Sequence, residues 1–338
     1  MQKGFSLCFS GQQSSRGVIT VNENSKAIVI LCSHLCVSEK MKPYETAEWA
    51  KLADRLVTVG ISPYELLTYS DDDMKQILGF EQLDVEKILR LIGRSGSIAF
   101  EIERYASMGI NIVTRADNHY PKALKKKLGK SCPPLFYYAG CIALADQKSI
   151  GYVGSRNIDE DDVSFTVRTV EKTLSEGFAV VSGGAKGIDS TAGATSLVKG
   201  GISIEYISDS LTKRIKEQQT IKAVIDEQLL ILSHAKPDAG FTTGMAMARN
   251  KYIYSQSEGT VVVKSDYNKG GTWSGAVENL KNKKCPTFCW NNENHTGNIE
   301  LIKRGAIPID DNWNSDVFAY HSETNSPTQS EQLSLFSE

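Results

Sequence analysis

The sequence predicts an α/β fold, a Rossmann-like domain with a parallel sheet core, preceded by a small helical domain. Three observations carry that expectation. Short apolar runs alternate with amphipathic stretches of about ten to fifteen residues through the middle of the chain, the pattern of βαβ crossovers. Glycine-rich turns follow several of those runs. Ahead of them, from Thr46 to about Tyr105, apolar residues recur at the three-and-four spacing of helices. The 338 residues suit about two domains.

The elements follow in order. Residues 27–32, AIVILC, read equally as a buried strand or the start of a helix. EWAKLADRLV places Trp49, Leu52, Ala53 and Leu56 on one helical face. Ser62 and Pro63 open PYELL, Ser70 with Asp71 to Asp73 caps DDMKQIL, Gly79 ends it, and LDVEKILRLIG runs to Gly93. These form the helical domain, 1–109. Candidate strands are INIV (110–113), SIGYVG (149–154), FAVVSG (178–183), GISIEYI (201–207), QLLILS (228–233) and GTVVVK (259–264). A helix between two of them shows one face at Val163, Val167, Val170 and Leu174. Right-handed crossovers then give a sheet covered on both faces over 110–309. From 310 to 338 periodicity is lost, and SETNSPTQSEQ is too polar for burial to offset ordering entropy, so a disordered tail is expected.

Composition narrows the classes. With 41% hydrophobic and 23% charged residues, the chain is not collagen-like, wholly disordered or membrane-embedded. The formal net charge of -2 means that attraction to nucleic acid would come from local clusters. No signal peptide or apolar span is evident, which predicts a cytoplasmic protein with no membrane partner. Seven cysteines over this length suit reduced thiols. Neither Cys32, His34 and Cys36 nor Cys285 and Cys289 has zinc-knuckle spacing, so no metal site is predicted.

In an open parallel sheet, ligands bind beyond the carboxyl ends of the strands. The first such turn is Gly154-Ser155-Arg156, where glycine allows close backbone approach, serine adds a hydroxyl and arginine a bidentate fork. The second is Gly183-Gly184-Ala185-Lys186-Gly187 before Ile188 and Asp189, three glycines around one lysine. Both suit phosphate. Neither is a GxGxxG fingerprint or a Walker A loop, so neither a dinucleotide cofactor nor ATP hydrolysis is predicted. A third loop, Lys269-Gly270-Gly271-Thr272, follows GTVVVK. Arg249, Asn250 and Lys251 lie on the helix before that strand, and the plain reading of the two cations, Arg249 and Lys251, is a solvated helix surface. The acidic run Asp159 to Asp162 favours a helix start but would repel phosphate, so a ligand is expected from the Arg156 side. The lysines at 122, 125, 126, 127 and 130 read either as an electrostatic track for a nucleic-acid strand or, more often, as a solvated helix face, and Tyr120, Tyr137 and Tyr138, left unassigned, either as base-stacking residues or, more often beside proline, as packing residues.

Six segments, YPKAL (120–124), PPLFYYAG (133–140), VGSR (153–156), VVSGGAKGID (180–189), ARNKYIY (248–254) and KGGTWSGA (269–276), resemble the DprA or Smf DNA-processing family in order and spacing. The resemblance spans roughly 27–305 and includes a helical part similar to that family's sterile-alpha-motif-like or helix-hairpin-helix-like domain. It implies an extended Rossmann fold that binds single-stranded DNA without sequence preference, forms a homodimer and loads a RecA-type recombinase, usually in natural transformation. Carried over by motif, Arg156 and Lys186 match basic residues of the DNA pocket, with Ser155, Gly183, Gly184 and Gly187 lining it. Arg249, Asn250 and Lys251 match its RN-basic segment, and Gly270, Gly271 and Thr272 its third loop. The chain departs from the family in placing Gly193 where a histidine is common.

The tail ends in Gln332-Leu333-Ser334-Leu335-Phe336, which resembles the sliding-clamp binding pentapeptide; the alternative is a chance apolar pair near a terminus. Two other functions use the same loops, a nucleotide-ligand sensor and a nucleotide phosphoribohydrolase. The latter's PGGxGTxxE motif puts Val277 at the catalytic position and Glu278 one place late, about 100° round the helix, which argues against an enzyme.

Overall fold

A computed structural model describes residues 22–38 and 42–310. The pentapeptide at 332–336 lies outside the described residues. Contacts gather the described residues into two compact units, each made of two stretches: those up to Ala145 with Ile207–Met245, and Asp146–Tyr206 with those from Ala246 to Asp310.

The first unit opens with α1 (Glu23–Cys32), which settles AIVILC as helix. Ala27 through Cys32 are all buried, and a helix apolar all round gives no periodicity to read. α2 (Thr46–Val59) buries Trp49, Leu52 and Leu56. α3 (Pro63–Leu66) and α4 (Asp71–Leu78) start at capping boxes on Ser62 and Ser70, and Gly79 ends α4 in the left-handed region at φ 56°. α5 (Gln82–Ile92) and α6 (Ser95–Ala106) each turn one apolar face inward. Between them the buried Arg94 donates 2.6 Å hydrogen bonds to the carbonyls of Leu35 and Ile30, the second an acceptor that the end of α1 leaves open. β1 (Asn111–Thr114), α7 (Lys122–Leu128) and β2 (Leu135–Gly140) follow. Tyr120 is buried, donating to the Pro133 carbonyl at 2.7 Å, and Tyr137 is buried too, as packing residues would be.

The chain then enters the second unit with β3 (Ser149–Val153), α8 (Glu160–Ser175), β4 (Ala179–Ser182), α9 (Ile188–Val198) and β5 (Ser203–Tyr206). It leaves for α10 (Leu211–Arg214), α11 (Gln218–Ile225) and β6 (Leu229–Ser233), and returns through α12 (Thr243–Gln256). β7 (Gly259–Val262), α13 (Gly270–Asn282), β8 (Thr287–Trp290), α14 (Thr296–Lys303) and β9 (Ile307–Ile309) complete it.

Two expectations need correction. INIV is paired antiparallel, not parallel, and an unforeseen strand pairs with it: in the first unit β1 and β6 flank β2, both antiparallel to it, with Asn111 opposite Tyr138 and Tyr137 opposite Ser233. β2 escaped notice because Pro133 and Pro134 precede it, and proline weakens a strand reading unless it falls at the very start, where no ladder N–H is needed. The buried face of α8 is also rotated from the one expected. Asp162, Phe165, Thr166, Thr169, Val170 and Thr173 turn inward, while Val163 is exposed. The threonines tolerate burial because Thr166 and Thr169 donate to the carbonyls of Asp162 and Phe165 at 2.7 and 2.9 Å, and the Thr173 hydroxyl meets that of Tyr152 at 2.7 Å.

The second unit is the Rossmann-like part, and its strands run parallel in the order β5-β4-β3-β7-β8-β9. Val180, Val181, Ile204, Val261 and Val262 are fully buried. Burial of each such side chain stabilises by roughly 1.5–3 kcal/mol. Phe165 of α8 stacks on Trp290 of β8 at 4.2 Å, so this helix covers one face of the sheet. On the other face Ile253 of α12 presses on Gly151 so closely that a Cβ there would stand 3.1 Å from its Cγ2. Successive strands step outward from β3 in one direction and from β7 in the other. The order therefore reverses between them, and the loops after these two strands meet at the switch point.

Candidate functional site

Close approach defines the meeting of the first two loops. A Cβ on Gly154 would stand 2.3 Å from Ile188 Cγ1, and one on Gly187 would stand 2.2 Å from the Ser155 carbonyl oxygen and 2.8 Å from Arg156 Cα. Gly187 also adopts φ 85°, which a side chain would strain. Ile188 N–H donates to the Ser155 carbonyl at 3.3 Å, and the Ser155 hydroxyl accepts from Asn157 N–H at 3.1 Å. The loop after β3 thus lies against the start of α9, with Arg156 and Lys186 both exposed.

Asp189 organises the second loop. Its buried carboxylate accepts the Gly183 N–H at 3.1 Å, with the Ala185 N–H also lowering its pKa, and Gly184 N–H, at φ 62°, donates to Ser182 Oγ at 3.3 Å. Arg249 reaches it from α12, Nη2 to Oδ2 at 3.3 Å. The guanidinium lies flat against Gly183, where a Cβ would fall 1.3 Å from Nη1. Burial raises the Asp189 pKa, with Arg249 and then the backbone N–H groups opposing it.

Arg249 is therefore not on a solvated surface, being only 4% exposed. Asn250 braces the third loop, donating to the Gly271 carbonyl at 3.1 Å. Lys251 is half-buried with its Nζ 5.3 Å from the Tyr252 ring centroid. Thr272 donates to the Gly154 carbonyl at 2.9 Å, and Ser155 N–H to the Lys264 carbonyl at 3.0 Å, so the third loop is fastened to the first. Gly270, at φ 77°, stands exposed at the start of α13, where Val277 is half-buried and Glu278 exposed. The structure thus brings Ser155, Arg156, Lys186, Gly187 and Thr272 into one neighbourhood, sets Gly183 and Arg249 beneath it, and puts Asn250 in a bracing role.

Sequence reasoning missed Asp189, Lys264 and His295. Lys264 Nζ lies 3.1 Å from Asp159 Oδ2 and 2.5 Å from Asp162 Oδ2, and His295 Nε2 lies 3.1 Å from Asp162 Oδ1. Asp159 caps α8 through the Asp162 N–H at 3.0 Å. That backbone bond, then Lys264, lowers its pKa to about 2. Burial holds the His295 pKa down despite the nearby carboxylate. Two of the four acids that would repel a phosphate are thus tied into a cap and countered by Lys264. The D-x-x-D box and the lysine closing GTVVVK were the available signals. At Gly193 a Cβ would stand 3.2 Å from Glu205 Oε1 and 3.3 Å from Ser203 Oγ, so a histidine would displace both.

Comparison with known proteins places this geometry. The chain is 25% identical over 246 residues to Protein Smf of Synechocystis sp., covering 69% of this chain and 60% of that protein, so it spans less than two thirds of that relative's length. It shares its fold with DNA processing protein A of Streptococcus pneumoniae, with a TM-score of 0.60 at 20% identity over 78% of this chain and 94% of that one. DNA processing protein A of Helicobacter pylori, whose single-stranded DNA binding mode has been described structurally, matches with a TM-score of 0.51 at 26% identity over 64% and 94%. The model of the DNA recombination-mediator protein A family matches residues 111–318, more than half of the chain, and the chain belongs to that family.

Proposed function

We propose that this chain binds single-stranded DNA as a recombination mediator, gripping the sugar-phosphate backbone with the loops at the switch point. The observation that carries the reading is the placement of two exposed cations, Arg156 and Lys186, on loops in van der Waals contact, beside the backbone N–H groups at the start of α9. Cations so placed neutralise phosphates without reading bases. The single-stranded DNA binding of the H. pylori relative supports the same assignment. On this reading the protein works in the cytoplasm without a cofactor and carries out no covalent chemistry. It acts as a homodimer and hands the strand to a RecA-type recombinase, in transformation or related DNA processing.

The test is a titration with oligo-dT at two salt concentrations. The logarithm of affinity is expected to fall against that of salt with a slope of about 0.7 per phosphate neutralised. Arg156→Ala with Lys186→Ala is expected to weaken binding whatever the base sequence and to flatten that slope. Full affinity in the double variant would remove the assignment.

A further inference from the structure

Tyr267 is an exposed aromatic residue of the third loop that a phosphate grip leaves unused. Single exposed rings are ordinary on protein surfaces. This one is set apart by how it is held and where it stands. The side chain is 45% exposed, yet its ring centroid lies 5.1 Å from that of the buried Trp273 at an interplanar angle of 82°. Arg304 holds the other partner of that pair, its guanidinium carbon 5.3 Å from the Trp273 ring centroid. The backbone beneath is equally fixed. Lys269 N–H donates to the Asp266 carbonyl at 3.2 Å across the left-handed Asn268, and a Cβ on Gly297 would stand 2.2 Å from the Ser265 carbonyl oxygen, so the loop is pressed against the start of α14. The ring therefore meets solvent with little rotamer entropy left to lose.

Its position supplies the rest. Tyr267 is three residues beyond Lys264, whose carbonyl accepts from Ser155 N–H at 3.0 Å, and two before the exposed Lys269. A preset aromatic face beside a cationic track is the combination that holds single-stranded nucleic acid by stacking and charge, with no preference for a particular base. We propose that Tyr267 is a stacking platform for one base of a single strand whose phosphates lie along the Ser155–Arg156 and Gly183–Gly187 loops. This inference rests on the single-strand-binding reading above.

The experiment compares oligo-dT with an abasic oligomer of equal length, using the full chain, Tyr267→Ala, Tyr267→Phe and the Arg156→Ala, Lys186→Ala double variant. Tyr267→Ala is expected to weaken oligo-dT binding about tenfold, to leave abasic binding and the salt slope unchanged, and Tyr267→Phe to bind as the unaltered chain does. Equal oligo-dT affinity for Tyr267→Ala and the unaltered chain, or an equal loss on both oligomers, overturns the platform. If the double variant loses affinity in that same series, the phosphate grip survives without it. An unaltered chain that binds neither oligomer overturns both.

Discussion

Arg249 and Arg156 look alike in the sequence, each a cation in a segment that suits phosphate, and their surroundings give them opposite consequences. Arg249 is sealed against Gly183 and Asp189, with Nε and Nη1 making no hydrogen bond among the described residues. Removing it leaves a buried carboxylate without its counter-charge. Arg249→Ala is therefore expected to destabilise by about 3–5 kcal/mol, read as a lower urea midpoint. Arg156, exposed, should change stability by less than about 0.5 kcal/mol when replaced by alanine while still lowering oligonucleotide affinity. A variant at 249 that unfolds at the same urea concentration as the parent would contradict the buried-pair account. Burial is the property the sequence withheld here, because α12 carries no clear apolar stripe and its end is buried all round, Tyr252, Ile253, Tyr254, Ser255 and Gln256 in succession.

Elements are where sequence and structure agree best, and the reason is local chemistry. The starts of α3 and α4 were readable because Ser62 and Ser70 accept N–H groups that only a nearby side chain can satisfy, and the end of α4 because Gly79 takes the left-handed backbone. β2 was hidden by its prolines. β8 was passed over because TFCW directly follows Pro286, and β9 as a run of three residues too short for periodicity to declare. The contact between the start of α9 and the loop after β3 was not readable at all, since it joins residues from different elements. It has a sharp consequence at Gly187. Gly187→Ala combines positive φ with a collision against the Ser155 carbonyl, so it should cost about 1–3 kcal/mol and weaken DNA binding by driving the two loops apart. Thermal melting and the oligo-dT titration check this together. Gly200→Ala, at φ 77° with open space around it, is the control for backbone strain alone, and its DNA affinity should stay unchanged.

At the scale of the whole molecule, six scattered segments sufficed to indicate the family, four of them on the loops and the helix that build the site, whereas the two-stretch make-up of each unit could not be read from order along the chain. The proposed clamp contact also belongs at this scale, since it uses the tail and nothing of the loops. The full chain is expected to bind the sliding clamp, and Leu335→Ala with Phe336→Ala to abolish that binding while leaving oligo-dT affinity intact. Identical clamp binding by both would dismiss the motif.

The sheet of the second unit has a further implication for the chain's birth. Ile150 in β3 sits opposite Gly259 in β7, so the middle of that sheet pairs residues that leave the ribosome far apart in time, about 5–20 s at roughly 5–20 residues per second. Until β7 arrives, nascent β3 can pair with β4 alone, and its other edge stays open to any passing strand. The fastening of the third loop to the first, Thr272 to the Gly154 carbonyl, thus waits for a residue made 118 positions later.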